Sequence, residues 1–272
     1  MTVVRIESDA DERLSDFRSI PDPDLLVRRG VFVAEGRLVV TRLLESGLRI
    51  RALLVTETAL ASLADSIGND GFPVYVVTHA VMNSVAGFNF HRGCLAIGVR
   101  PAARDWRSIV AGATRHDAAS VPRLVVLERV GNVDNIGAIF RNAAAFGADG
   151  VLLQADCADP LYRKAIRTSM AASLKVPYAT VPWPDALREL SDAGWATIAM
   201  TPAHDALPLP TVAAALTGRP IAIVLGHEGD GLTGDASQAC THRARIAMAN
   251  GVDSVNVATA AAIALYEISR RA

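Results

Sequence analysis

The sequence predicts an α/β protein in two parts: a small N-terminal α/β domain and a C-terminal domain built on a parallel sheet. Three observations predict it. Short runs rich in Val, Ile and Leu alternate with segments of helical period, the pattern of strands joined by crossover helices. Glycine and polar residues cluster directly after strand-like runs, where open α/β sheets bind ligands. A stretch with Pro101, Gly112 and Ser120 interrupts the alternation and separates the halves. The expected boundaries are residues 1–100, a linker at 101–121 with one helical turn, and residues 122–272.

The elements follow in order. Residues 32–46, "FVAEGRLVVTRLLES", have helical period, and Gly47 is a C-cap signal. "IRALLVT" (50–56), "FPVYVVT" (72–78) and "GCLAIGVR" (93–100) read as strands. "ALASLADSIG" (59–68) and "AVMNSVAG" (80–87) read as helices between them. In the second half, strands are expected at "RLVVLERV", "GVLLQ", "VPYATV", "WATIAM", "PIAIVLG" and "RARIAM". Helices are expected over 136–146, 160–174, 184–193 and 254–270.

Composition narrows the class. With 51% hydrophobic and 20% charged residues, the chain can bury a sizeable core and is not expected to be disordered. No apolar run approaches the ~18 residues of a membrane span, so no membrane partner is expected. The acidic, polar start "MTVVRIESDADERLSDFRSI" is unlike a secretory signal. Cys94, Cys157 and Cys240 are odd in number and far apart, and read as reduced packing thiols of a cytoplasmic protein. Net charge is −1, which argues against binding nucleic acid through bulk charge. Local clusters are more telling: Arg28, Arg29, Arg37 and Arg42, and the trio Arg163, Lys164 and Arg167 in "YRKAIR". Guanidinium forks suit phosphate.

Three loops carry the chemistry. The first, "GNVDNIGAIFR", follows "RLVVLERV". The second, "GHEGDGL", follows "PIAIVLG", and the third, "ANGVDSVNVATA", follows "RARIAM". "GHEGDG" is not the dinucleotide fingerprint, and no Walker sequence or G-x-S-x-G elbow is present. The six histidines lack metal-ligand spacing, so no metal is expected. What remains is Asn135, Arg141, Glu228, Ser254 and Asn256, a set suited to orienting charged or hydroxyl-bearing partners. Asp253, Ser254 and Asn256 all compete to cap the last helix, and one cap suffices.

These loops resemble the three motifs of the SpoU/TrmH-type RNA ribose 2′-O-methyltransferases of the SPOUT superfamily. The first is Asn135-Ile136-Gly137 through Arg141, then Phe146-Gly147. The second is Leu225-Gly226-His227-Glu228-Gly229-Asp230-Gly231-Leu232. The third runs from Ile246 to Ala258, with Ala247, Asn250 and Ala258 departing from the usual proline, glycine and serine, and Ala171 stands where glycine is common. "FVAEGRLVVTRLLESG" and "HRGCLAIG" look like the family's N-terminal substrate-binding domain, which resembles RNA-binding ribosomal proteins.

The resemblance implies a deep C-terminal trefoil knot, S-adenosylmethionine bound in it, and a homodimer with the site near its interface. It implies methyl transfer to a ribose 2′-hydroxyl of structured RNA, ribosomal RNA ahead of transfer RNA. Asn135 would position Arg141 or the ribose, Glu228 would orient the guanidinium, and Ser254 and Asn256 would hold the helix start and the ribose. Leu225, Gly226, Ile246, Met248 and Val255, with Thr201, would contact the cofactor. Arg141 suits phosphate binding and charge stabilisation, because a guanidinium is a poor proton acceptor at neutral pH. The rivals are an RNA-binding dimer of the same fold without turnover, and an unrelated α/β nucleotide-binding protein.

Overall fold

The computed structural model describes residues 2–18, 21–68, 71–87, 89–90, 92–113, 121–250 and 252–270. His91, residues 114–120 and Gly251, which the sequence reading placed in the first domain, the linker and the third loop, lie outside the described residues. The chain divides into two compact units, Met1–Ala102 with Pro160–Lys175, and Ala103–Asp159 with Val176–Ala272. The first unit is therefore discontinuous, whereas the sequence places residues 160–174 in the second domain.

In the first unit, β1 (Thr2–Arg5), β2 (Val31–Glu35), β3 (Ile50–Val55), β4 (Pro73–Val76) and β5 (Cys94–Val99) form a sheet of order β1-β4-β3-β5-β2. β1, β4 and β3 run parallel, and β5 is antiparallel to β3 and β2. β2, β3 and β4 thus end at one edge, where α1 (Arg37–Leu44), α2 (Glu57–Leu63) and α3 (His79–Ala86) begin. The helix expected over 32–46 starts only at Arg37. Phe32, Val33 and Ala34 are buried in the sheet, and Gly36, at φ +90°, turns strand into helix. Leu14, Phe17, Leu54 and Met82 centre the core. The helix expected over 160–174 is broken: Arg163–Thr168 is helical and Ala172–Leu174 is a 3₁₀ turn, with left-handed Met170 and Ala171 between them.

The second unit opens with α4 (Trp106–Ala113), inside the expected linker. It buries Trp106, Ile109 and Ala113, so this stretch is structural and longer than one turn. There follow β6 (Arg123–Leu127), α5 (Val133–Ala145) and β7 (Gly150–Leu153), then, after α6 (the Arg163–Thr168 helix of the first unit), β8 (Tyr178–Thr180), α7 (Asp185–Asp192) and β9 (Ala196–Met200). The chain ends with β10 (Leu207–Pro208), α8 (Leu209–Ala215), β11 (Ile221–Leu225), α9 (Gly234–Ala239), β12 (His242–Arg245) and α10 (Val257–Ser269). The seven strands pair in the order β10-β12-β9-β11-β6-β7-β8, and every pairing is parallel. All therefore end at one edge, β6 beside β11 and β9 beside β12. β6 and β11 are buried throughout, as strands covered on both faces are. Burial pushes the thiols of Cys94 and Cys157 up to about 11 and that of Cys240 up to about 12, so all three stay protonated at neutral pH.

Candidate active site

Three loops leave the carboxyl edge of the seven-stranded sheet. Each begins at a strand end: residues 128–132 after β6, 226–233 after β11 and 246–256 after β12. The second is folded tightly on itself. His227 and Gly231 exchange backbone hydrogen bonds of 3.1 and 3.0 Å, and His227 Nδ1 accepts from the N–H groups of Gly229 and Asp230, both at 3.1 Å. Gly226 lies so close to the far side of the loop that a Cβ there would meet the Gly231 carbonyl carbon at 2.3 Å.

One hydrogen-bonded chain ties the three loops together. Asn256 caps α10, its Oδ1 accepting from the N–H groups of Ala258 (2.9 Å) and Thr259 (3.3 Å). Its Nδ2 donates to Asn135 Oδ1 at 2.9 Å. Asn135, buried on α5, donates through Nδ2 to Glu228 Oε1 at 2.9 Å. The same oxygen accepts from the backbone N–H of Asn132, the N-cap of α5, at 3.1 Å. Partial burial works to raise the Glu228 carboxyl. Donation from Asn135 and from the backbone of Glu228, Asn132 and Gly131 outweighs it, and the group sits below its ordinary value.

A second acid, absent from the sequence reading, secures the middle loop from beneath. Glu128 is fully buried just past β6. It accepts from Trp183 Nε1 (2.7 Å), Thr233 N (2.8 Å) and Thr233 Oγ1 (2.6 Å), and its own N–H donates to Leu225 O (2.9 Å). Thr233 caps α9, so Glu128 holds the end of the loop that Gly226 begins. The available signal was an acid ending an apolar strand run, where a buried carboxylate demands donors. Arg129 follows it at φ +52°, its N–H on Gln154 Oε1 (3.0 Å) and its guanidinium 3.7 Å from Asp230 of the middle loop.

The model of the SpoU rRNA Methylase family matches residues 122–266, more than half of the chain. An uncharacterized tRNA/rRNA methyltransferase of Mycobacterium tuberculosis (strain ATCC 25618 / H37Rv) is 43% identical over 265 residues, covering 96% of this chain and 89% of that protein. This chain belongs to the SpoU rRNA methylase family. Its fold is similar to the AdoMet-bound rRNA methyltransferase from Sinorhizobium meliloti, with a TM-score of 0.84, 24% identity and 98% of each chain covered. It is also similar to the SpoU methyltransferase AviRb from Streptomyces viridochromogenes, with a TM-score of 0.78, 21% identity, and 96% of this chain and 97% of that one covered.

Within this SpoU-family site the expected residues fall into two groups. Asn135, Glu228 and Asn256 are joined. Arg141 is not part of their chain: it is exposed on α5, six residues beyond Asn135 and so about 9 Å further along the axis. It makes no hydrogen bond or ion pair among the described residues. Glu228 is thus bonded to Asn135 and Asn132, and the expected Glu228–guanidinium contact is absent. Ser254 is exposed and lies outside α10, whose expected start at 254 moves to Val257 because Asn256 takes the cap. Leu225 and Gly226 are buried at the end of β11, while Thr201 after β9, Ile246 and Met248 after β12, and Val255 before α10 are half-buried. Among the described residues, no group of three or more His, Cys, Asp or Glu could hold a metal ion.

The expected RNA-binding cations are mostly engaged within the first unit. Arg28 pairs with Asp24 (3.2 Å), Arg29 with Asp16 (2.8 Å), and Arg42 donates to Met170 O. The Arg163 guanidinium lies 3.8 Å from Asp22, which accepts the Arg163 backbone N–H (2.8 Å), with Nε and Nη2 buried without a hydrogen bond among the described residues, and Arg167 pairs with Glu35. Lys164 sits on α6 between them. Arg37 is exposed and makes no hydrogen bond or ion pair among the described residues. The trio of α6 therefore belongs to the first unit.

Proposed function

We propose that this RNA methyltransferase of the SpoU family moves the methyl group of S-adenosylmethionine to a ribose 2′-hydroxyl of a structured RNA, ribosomal RNA ahead of transfer RNA. The observation that carries the reading is the unbroken chain Asn256–Asn135–Glu228 across three loops of one sheet edge. It fixes neutral amide groups and leaves Arg141 open on the same helix. The cofactor supplies an electrophilic sulfonium methyl. The strand-end backbone of Leu225, Gly226, Ile246 and Met248, with Val255 and Thr201, offers amides, carbonyls and apolar surface suited to adenine, ribose and thioether groups.

The chain's own residues bind and orient. Arg141 takes the RNA phosphate beside the reacting ribose, as a planar fork does best. Asn135 and Asn256, locked by their mutual bond, hold the ribose, with Ser254 beside them. Placement of the hydroxyl in line with the methyl group supplies most of the acceleration. The relatives named as tRNA/rRNA methyltransferases and the AdoMet-bound structural neighbour support this reading.

Three further features belong to the proposal. The C-terminal segment forms a deep trefoil knot, an arrangement supported by β11 lying between β6 and β9. The chain works as a homodimer through α5 and α10, where Tyr266 and Ile263 are exposed and Tyr266 packs edge-on against Phe146 at 6.0 Å. It acts in the cytoplasm, in keeping with its unpaired thiols; no helix among the described residues is long and apolar enough to cross a membrane.

The test incubates the protein with methyl-labelled S-adenosylmethionine and ribosomal or transfer RNA, followed by alkaline hydrolysis. Label in an alkali-resistant dinucleotide is expected, because a 2′-O-methyl group blocks backbone cleavage. Label on a base refutes ribose transfer. RNA and cofactor binding without label supports the non-catalytic dimer.

A further inference from the structure

The carboxyl edge of the second unit carries a cluster that methyl transfer leaves unused: Arg129 just past β6, and His227 and Asp230 on the middle loop. The Asp230 carboxylate lies 3.7 Å from Arg129 Nη1 and 3.7 Å from His227 Nδ1. His227 Nδ1 already accepts two backbone N–H groups, so it has no proton to give. Arg129 is therefore the one cation paired with Asp230 among the described residues. Asp230 is 72% exposed and the contact is longer than a hydrogen bond, so the pair contributes little to stability and yields readily to another anion.

Arg129 is costly to keep where it is. Its φ of +52° is a left-handed conformation that a residue with a Cβ takes at a penalty, and such residues gather at functional sites. The backbone is held there by the bond from its N–H to Gln154 Oε1 (3.0 Å) and by the preceding Glu128, whose N–H is on Leu225 O (2.9 Å). The guanidinium is half-buried and makes no hydrogen bond among the described residues, and its Nε is closed to water as well. A planar fork in this state lacks an acceptor.

The acceptor it suits is an anion, because it must displace a carboxylate. Its place on the sheet favours the substrate over the cofactor. The proposed cofactor contacts follow β9, β11 and β12, whereas Arg129 follows β6 and rests on Gln154 after β7, on the far side of β11. With neighbouring strands about 4.8 Å apart, β6 lies about 10 Å from β9 and about 14 Å from β12. Asn132 and Asn135 open the helix that carries Arg141, so along the chain Asn135 falls between the two guanidinium groups.

We propose that Arg129 takes a second phosphate of the RNA strand, across the target ribose from the phosphate on Arg141, and that Asp230 occupies the fork until RNA arrives. The proposal rests on the RNA reading above. It makes Arg129 a substrate contact and Asp230 a stand-in for phosphate in the free protein. Once released, Asp230 stays in water, where an exposed carboxylate needs no partner.

The test measures binding of purified ribosomal RNA and bulk transfer RNA against salt concentration for the full chain, Arg129→Gly, Asp230→Asn and the double variant, alongside calorimetric titration of S-adenosylmethionine. Glycine removes the fork, keeps the backbone N–H on Gln154 and suits φ +52°, so Arg129→Gly should fold and melt as wild type does. Its log–log salt slope should be shallower by about 0.7–0.9, the share of one phosphate, with cofactor affinity unchanged. Asp230→Asn should bind RNA several-fold more tightly, and that gain should largely vanish in the Arg129→Gly background. An unchanged slope in Arg129→Gly, with methyl transfer to RNA intact in wild type, overturns the contact and leaves the RNA reading standing. An equal gain from Asp230→Asn in both backgrounds overturns the exchange of carboxylate for phosphate. Cofactor affinity lost in Arg129→Gly with the RNA slope unchanged assigns the fork to the cofactor and overturns the proposal. A wild-type chain that binds S-adenosylmethionine but no RNA overturns the RNA reading and this proposal together.

Discussion

Both units end several strands at one edge and begin helices there, yet they furnish that edge in opposite ways. In the second unit the amides and the two acids are bonded, with Arg141 and Ser254 left exposed: Asn256 bonds Asn135, Asn135 bonds Glu228, and Glu128 bonds Trp183 and Thr233. In the first, Arg37 is exposed at the start of α1, which has no side-chain cap, and makes no hydrogen bond or ion pair among the described residues. The contrast separates two tasks. Groups that must hold a reacting geometry within fractions of an ångström are immobilised by neighbours before substrate arrives. Groups that only supply affinity through charge can remain open, since phosphate binding tolerates looser geometry.

The largest effect should break the second edge alone. In Gly226→Ala the new Cβ meets backbone carbon, oxygen and nitrogen of Gly231 and Leu232 at 2.3–2.4 Å, none of which can rotate aside. Calorimetric titration should show cofactor affinity reduced at least 100-fold, while the RNA salt slope stays within 0.3 of wild type as an order-of-magnitude expectation, about a third of one phosphate contact. Loss of both together would mean the two edges are coupled.

Next in size is Arg141→Lys. Lysine keeps the charge and loses the fork, so kcat should fall at least about tenfold with cofactor affinity retained. A kcat within about twofold of wild type would assign Arg141 to packing or solvation.

Asn135→Ala removes a buried amide and strands its partners. Urea denaturation should show a loss of about 1–3 kcal/mol, the cost of unsatisfied polar groups. Asn135→Asp should be no better, because it places a second carboxylate against Glu228 at the present 2.9 Å contact. A stable Asp variant would break the account of the network.

The smallest effect is in pH. The folded state holds the Glu228 carboxyl below its ordinary value. Its contribution to stability is therefore fully present above that ordinary value, about 4.3, and is lost as pH falls through the lowered one. Wild type and Glu228→Gln should differ in melting temperature at pH 7 and converge towards pH 3. A difference that grows on acidification would reverse the sign and sink the assignment.

What could be read beforehand followed from locality. The three strand-end loops of the second unit were legible because glycines and amides directly follow apolar strand runs, and a strand end is visible within a few residues. The seven parallel strands were legible for the same reason, apart from two-residue β10. β2 was hidden because Val31–Ala34 merge with the apolar positions of α1 into one helical period, and only the backbone of Gly36 separates them. Long-range pairing was out of reach. Arg163 and Arg167 share the spacing of a phosphate-binding face, but Glu35, 132 residues away, takes the Arg167 guanidinium, while Asp22, 141 residues away, accepts the Arg163 backbone N–H and lies 3.8 Å from its Nε. Glu128 looked like one more strand residue, since its donors come from Trp183 and Thr233.

The return of Pro160–Lys175 to the first unit also governs how the chain is made. During synthesis, residues 1–102 emerge long before the segment that completes their unit. At roughly 5–20 residues per second, β2 waits several seconds for α6, with the seat of Ala165 and Ile166 uncovered and Glu35 lacking Arg167. The discontinuity also means that recombination at residue 100 cannot exchange the first unit between homologous genes: the donor's α6 would stay behind, and the transplanted half would meet a foreign one.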